Sequence, residues 1–414
     1  MGKQFLSLRI DPNVKTDDLS KRGPQMGGVQ KDALTDIRIV AVGDIALNGG
    51  YNQLARRGSA GTVASAIAPL LSGGDLIIGN LETPLTTHPR VGPPWRFCLH
   101  GDPGYASALR AAGFHVLSLA NNHMMDHGWQ GAEETIRCLK AAGILHVGAG
   151  RNLDEARKPA QLVVNRVRVA ILAYCDVSVL LPIYADIQQS GVAPARRSYI
   201  LEDVAKARRN NELVIVCMHW GQEYVRYPAP KYRRLAREMI SAGANLIIGH
   251  HPHVLQGIEC IDRAAVAYSL GNFTFSEEEW VATNEKGETF SMSFRINEIS
   301  RRTAVWHVGI NSRGLVTSEY LNPAYLGQDL CPVPDSRPEP KRAMDQNRKA
   351  LVRPAYELFW TIQLIHSRVH AILDQFGGAK VIGKRLLRLR PRHFTDIKRV
   401  LIREWQQLRG SDSK

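Results

Sequence analysis

Short apolar runs of strand length alternate with helical stretches across loops of only a few residues, and that rhythm restricts the chain to an α/β architecture. The runs fall at 37–42, 75–79, 115–119, 145–148, 167–174, 213–218, 245–248 and 264–270. Helical periodicity fills most of the gaps, at 61–71, 105–112, 131–142, 201–209 and 230–242. Three of these helices end in Ala-Gly, at Gly113, Gly143 and Gly243, which predicts a left-handed cap leading straight into the next strand. Beyond Ala264 the helical pattern stops. Segments 290–297, 303–309 and 314–320 alternate apolar and polar side chains, as half-buried antiparallel strands do. A mixed sheet system is therefore expected over residues 36–325.

The flanks read differently. Residues 1–35 are polar and aperiodic, a mobile lead-in. Residues 326–350 read as a linker, with four prolines between Cys331 and Pro340. Residues 351–414 read as a basic helical extension. Its first helix opens at Pro354 with an apolar stripe from Leu358 to Phe376, and its second runs from Thr395 to Gly410. The net charge of +14 is concentrated there: residues 341–414 hold 17 Lys or Arg against 6 Asp or Glu. Such a tail either meets an anionic membrane surface or is simply a solvated face. Nucleic acid ranks last as a partner, because the basic run 384–392 contains no aromatic residue on which bases would stack.

The longest apolar runs, 37–47 and 167–174, fall short of the roughly 20 residues a membrane span needs. The first thirty residues lack the apolar core of a secretory signal, so a cytoplasmic location is expected, with peripheral membrane contact through the tail. The six cysteines are scattered with no C-x-x-C pair, and Cys175 and Cys217 read as small core residues.

The loops after the strands share an unusual chemistry. They carry Gly43-Asp44, Asn80-Leu81-Glu82, Asn121-Asn122-His123 with Asp126, His219 to Tyr224, Gly249-His250-His251-Pro252-His253, and Gly271-Asn272-Phe273. In α/β sheets, functional groups gather beyond the carboxyl ends of strands. Oxygen and imidazole donors without thiolates suit Zn, Mn, Fe or Mg, one ion or two. Each residue alone has a plainer alternative. Asp44 could form a turn, Asn122 could occupy a left-handed position, Asp126 could cap the next helix, and His219 could be a satisfied buried histidine. Three histidines within positions 250–253 of a chain with only 14 argue for a metal centre.

Taken in order, these six motifs resemble the bacterial capsule-synthesis family typified by CapA, from about residue 37 to 322. The resemblance implies a metallophosphatase-like sandwich of two mixed β-sheets flanked by helices, to which the helical extension is appended. It implies metal ligation by Asp44, Glu82, Asn122, His219, His251 and His253, with Asn80, His250 and Asn272 toward substrate. His123 would be the general acid, Asp126 would orient it, and Glu223 would serve as base or as support for His219. Two departures from the metallophosphoesterase pattern stand out: Ala46 occupies the histidine position of Asp-x-His, and Glu82 replaces an aspartate. The family's better-known members also carry an N-terminal membrane anchor, which this sequence does not show.

A bound divalent ion lowers the pKa of water from about 15.7 toward 7. The expected activity is therefore hydrolysis of a phosphoester, ester or amide in an anionic surface polymer or a phosphorylated substrate. The alternative is a non-catalytic accessory subunit of a polymer-assembly complex.

Overall fold

The computed structural model describes residues 36–93, 96–177, 183–283, 287–327 and 331–364. Expectations for 1–35 and for the tail beyond residue 364 lie outside those residues. The chain divides into two units, Met1–Glu357 and Leu358–Lys414. Of the second unit only 358–364 is described, and it is helical.

In the first unit, two large mixed sheets carry the fold. One runs Pro332–Pro334, Val316–Leu326, Arg302–Ile310, Ile37–Ile45, Leu76–Leu81, Val116–Ser118, Leu145–Val147, with Asn272–Thr274 paired to Ile37–Ile45. The other runs Ile258–Ile261, Ala264–Ala267, Leu246–His250, Leu213–His219, Val167–Cys175, Ala160–Val164. The second has a parallel centre and antiparallel flanks, whereas the first is parallel from Ile37–Ile45 through Leu145–Val147 and antiparallel on its other side. The central strands are buried along nearly their whole length, which is why they read as unbroken apolar runs. Ile39, Ile78 and Leu117 of the first sheet share one core with Ile171, Ile215 and Ile248 of the second. Cys175 and Cys217 are free and buried within it.

Gly113, Gly143 and Gly243 all take positive φ after their helices, as the Ala-Gly endings predict. The described residues of 331–350 do not form a linker. Pro332–Pro334 forms an edge strand, where a missing N–H costs no ladder bond, and Pro338–Leu351 is a helix with proline in its first turn. That helix is held by burial of Met344 and Leu351 and by the amide of Asn347, which donates to the Leu255 carbonyl at 2.8 Å. Among the described residues no helix is long and apolar enough to cross a membrane.

Parallel pairing brings the strand ends level. Asp44 lies opposite Asn80, Asn80 opposite Ser118, and His219 opposite His250. A bulge between Ala41 and Asp44 breaks the register there and re-aims the aspartate. The bulge brings the backbone of Gly43 against Gly271, so that a Cβ on Gly43 would sit 1.9 Å from the Gly271 carbonyl oxygen. Gly43→Ala should therefore destabilise the protein by an overpacking cost of about 1–3 kcal/mol or more. An unchanged denaturation midpoint would show that the crossing has room to spare.

Candidate metal centre

Glu82 follows the strand Leu76–Leu81 directly and is wholly buried, yet neither carboxylate oxygen accepts a hydrogen bond. Around it stand Asp44, His219, His251 and His253, all buried. Glu82 Oε1 is 3.5 Å from His219 Nε2 and 3.9 Å from His253 Nε2. Burial, and then the Asp44 charge, push the Glu82 carboxyl well above the usual carboxylate range. Burial and the neighbouring histidines hold His219 and His251 well below the usual imidazole value.

A chain of amides orders these groups. Asn121 Oδ1 accepts the backbone N–H groups of His123 and Met124 at 3.1 and 2.9 Å. Its NH2 must then face Leu81 O and Asn80 Oδ1, at 2.8 and 3.3 Å. This turns the NH2 of Asn80 toward Asp44 Oδ1 at 2.9 Å and His219 Nδ1 at 3.3 Å. His219 Nε2 donates to Asn122 Oδ1 at 2.7 Å. Asp44 Oδ2 accepts from the His251 backbone N–H at 3.1 Å. His251 and His253 have φ of 92° and 56°, conformations that non-glycine residues seldom adopt and that cluster at functional sites. Asn272 Oδ1 accepts from His253 Nδ1 at 2.8 Å, which leaves Nε2 free to ligate.

These residues fit a divalent cation. The donors are carboxylate, amide oxygen and imidazole, and the buried Glu82 oxygens accept no hydrogen bond from any described residue. Ala46, where a further histidine ligand would stand, packs instead in an apolar cluster with Leu99, Phe275 and Leu326.

His123 lies beside this group, and its charged form would oppose those of His219 and His251. Its Nδ1 donates to Asp126 Oδ2 at 2.8 Å. Asp126 also accepts from Leu99 N–H at 2.7 Å and is paired with Arg96, so it orients His123 and does not cap the following helix. Asn122 is not left-handed, which removes that alternative too.

The remaining expected residues are placed as follows. Asn80, His250 and Asn272, expected toward substrate, are almost wholly buried, and Asn80 and Asn272 bond other site residues. Asn80 bonds Asp44 and Asn272 bonds His253, while His250 Nε2 donates to the Val42 carbonyl at 3.2 Å. Glu223 is exposed and makes no hydrogen bond to His219. Sequence reasoning missed Arg96 and the Asn121 relay. Arg96 lies in a loop with no neighbouring motif, whereas Asn121 stood inside a motif already singled out.

Residues 38–277 match the family described as "Bacterial capsule synthesis protein PGA_cap". The chain is 35% identical over 256 residues to the capsule biosynthesis protein CapA of Bacillus anthracis, covering 60% of this chain and 62% of that protein. It is 34% identical over 209 residues to a Mycobacterium tuberculosis (strain H37Rv) protein named "Probable polyglutamine synthesis accessory protein", covering 48% and 55% respectively. The match thus spans about three fifths or less of the length of these curated relatives. Among solved structures, the NAD nucleotidase of Haemophilus influenzae superposes with a TM-score of 0.38 at 12% identity, over 75% of this chain and 55% of that one.

In the metal-free fold the Glu82 carboxyl is raised above its unfolded value by burial and then by the Asp44 charge, so this group's stability contribution is lost as pH rises above about 4.3. His219 and His251 act in the opposite sense, and theirs is lost as pH falls below about 6.5. Glu82→Gln should consequently raise the metal-free melting temperature at pH 7–8 while abolishing retention of Mn or Zn. A lowered melting temperature would mean that Glu82 is not under electrostatic stress.

Proposed function

The chain belongs to the bacterial capsule synthesis protein family, and we propose that it is a divalent-metal-dependent hydrolase acting on a phosphoester, ester or amide bond in surface-polymer metabolism. The observation that carries this reading is the buried Glu82 carboxylate, free of hydrogen bonds, among Asp44, His219, His251 and His253. Asp44, Glu82, Asn122, His219, His251 and His253 would hold the ion. A divalent cation supplies Lewis acidity toward an ester or acyl oxygen and acidifies water.

The protein's own part is to place and move protons. Asp126 fixes the Nδ1–H of His123, so Nε2 is the nitrogen that delivers a proton to the leaving group. Arg96 and the Leu99 N–H hold Asp126 in place, which stops the imidazole from rotating. Asn80 and Asn272 set the orientation of Asp44 and His253, so substrate meets a site already formed. A second reading has the same cluster binding a metal without turnover, and the accessory role in the mycobacterial relative's name favours it.

Elemental analysis together with a panel of phosphodiester, ester and peptide substrates separates the two. His123→Ala should reduce turnover by about 10²–10⁴ with unchanged metal content. Metal without turnover of any substrate in the panel would favour the accessory reading. We also propose that the basic residues of the tail bind an anionic surface. Flotation with phosphatidylserine vesicles should recover the full chain at low salt and not in 1 M salt, where screening shortens to about 3 Å.

A further inference from the structure

Two loops beside the candidate metal centre are joined by a helix that supplies none of its ligands. Loop 251–257 follows the strand Leu246–His250 and carries His251 and His253. Loop 220–229 follows His219. Left-handed backbone recurs in both, at φ 92° for His251, 56° for His253 and 63° for Tyr224. A non-glycine residue keeps such a conformation only where its surroundings over-determine it. Two of the restraints run directly between the loops. The Tyr224 N–H donates to the Pro252 carbonyl at 2.8 Å, and the Gln256 amide donates to the Val225 carbonyl at 2.7 Å.

The third restraint comes from the helix Pro338–Leu351. Asn347 on that helix is only 1% exposed. Its Oδ1 accepts from Arg226, two residues after Tyr224, at 3.2 Å. A guanidinium can only donate, so the amide of Asn347 is oriented with its NH2 toward the Leu255 carbonyl, two residues after His253. One buried side chain thus ties both loops together. The helix also lies hard against the first of them: a Cβ on Gly257 would sit 2.6 Å from Leu351 Cδ1 and 3.0 Å from the Asn347 carbonyl oxygen. Met344 packs with Leu255 in the same apolar cluster. Asn347 falls outside the span 38–277 that carries the family's motifs.

We infer that Asn347 is a positioning residue for the candidate metal centre, holding the loop of His251 and His253 in its strained conformation before an ion arrives. The inference rests on the reading of Glu82 and its neighbours as a metal centre. Without the Asn347 bonds, the loops of the metal-free protein relax toward ordinary backbone angles. Ion binding must then restore the strain, and the cost appears as lost affinity. A residue that only anchored the helix would affect the metal-free and metal-bound proteins alike and leave affinity unchanged.

The test is titration of the full chain with Mn²⁺, followed by the electron paramagnetic resonance of the free ion, at a temperature where every variant is folded. The melting temperature of the metal-free protein is measured alongside. Asn347→Ala should weaken Mn²⁺ binding by about tenfold, the lower end of the loss when a group that orients metal ligands is removed. Arg226→Met should weaken it in the same direction, and Arg226 is only half-buried, so this second variant does not threaten the fold. Wild-type affinity in Asn347→Ala overturns the proposal, even if its melting temperature falls. Should Asn347→Ala fail to fold, wild-type affinity in Arg226→Met overturns it. If the wild-type chain takes up neither Mn²⁺ nor Zn²⁺, or binds them as tightly after Glu82→Gln, the metal-centre reading fails and the positioning role with it. If wild type binds through Glu82 and both variants match it, only the positioning role fails.

Discussion

A carboxylate with no exposure and no hydrogen bond is the constraint around which this structure is organised. Removing such a group from water carries an effective penalty of several kcal/mol per ion. Its surroundings add the charge of Asp44 rather than a compensating donor. The arrangement makes physical sense as one half of a cation site. Without the cation the carboxyl is driven to hold a proton, and binding of a cation requires that proton to leave. The proton on His219 Nε2 that bridges to Asn122 would leave in the same way, so metal affinity and pH are linked at this site.

The scaffold holds these groups together with local backbone features rather than with additional charges. The bulge before Asp44 aims its carboxylate, and the close crossing at Gly43 and Gly271 allows the strand to bend there. The unusual φ of His251 and His253 places two imidazoles within one short loop on the same point. The Asn121–Asn80 relay converts two backbone N–H donors on the 121–128 loop into the orientation of Asp44 and His219 across the sheet. Parallel pairing of the central strands makes this possible, because it sets Asp44, Asn80 and Ser118 level in one sheet and His219 and His250 level in the other.

Much of this was legible in the sequence because it depended on local pattern. Central strands covered on both faces appear as continuous apolar runs, and positive-φ caps appear as glycine after alanine. The strand-end loops displayed their Asp, Glu, Asn and His directly. Other features were hidden because they depend on tertiary contacts. Nothing in the Pro-rich stretch 331–340 distinguishes a linker from an edge strand followed by a helix; burial of Met344, Asn347 and Leu351 decides it. Asn80 and Asn272 carry the same chemistry as the candidate ligands, and only their hydrogen bonds tie them to Asp44 and His253. Arg96 became visible only when its loop met Asp126 beside His123.

The central claim is that Glu82 and its imidazole neighbours form a cation site, and anomalous diffraction tests it most directly. Crystals of the full chain grown with Mn²⁺ or Zn²⁺ should show a strong anomalous peak bounded by Glu82, His219, His251 and His253. For zinc, ligand distances should be about 2.0–2.2 Å. A peak elsewhere, or none in crystals that resolve these side chains, would contradict the account.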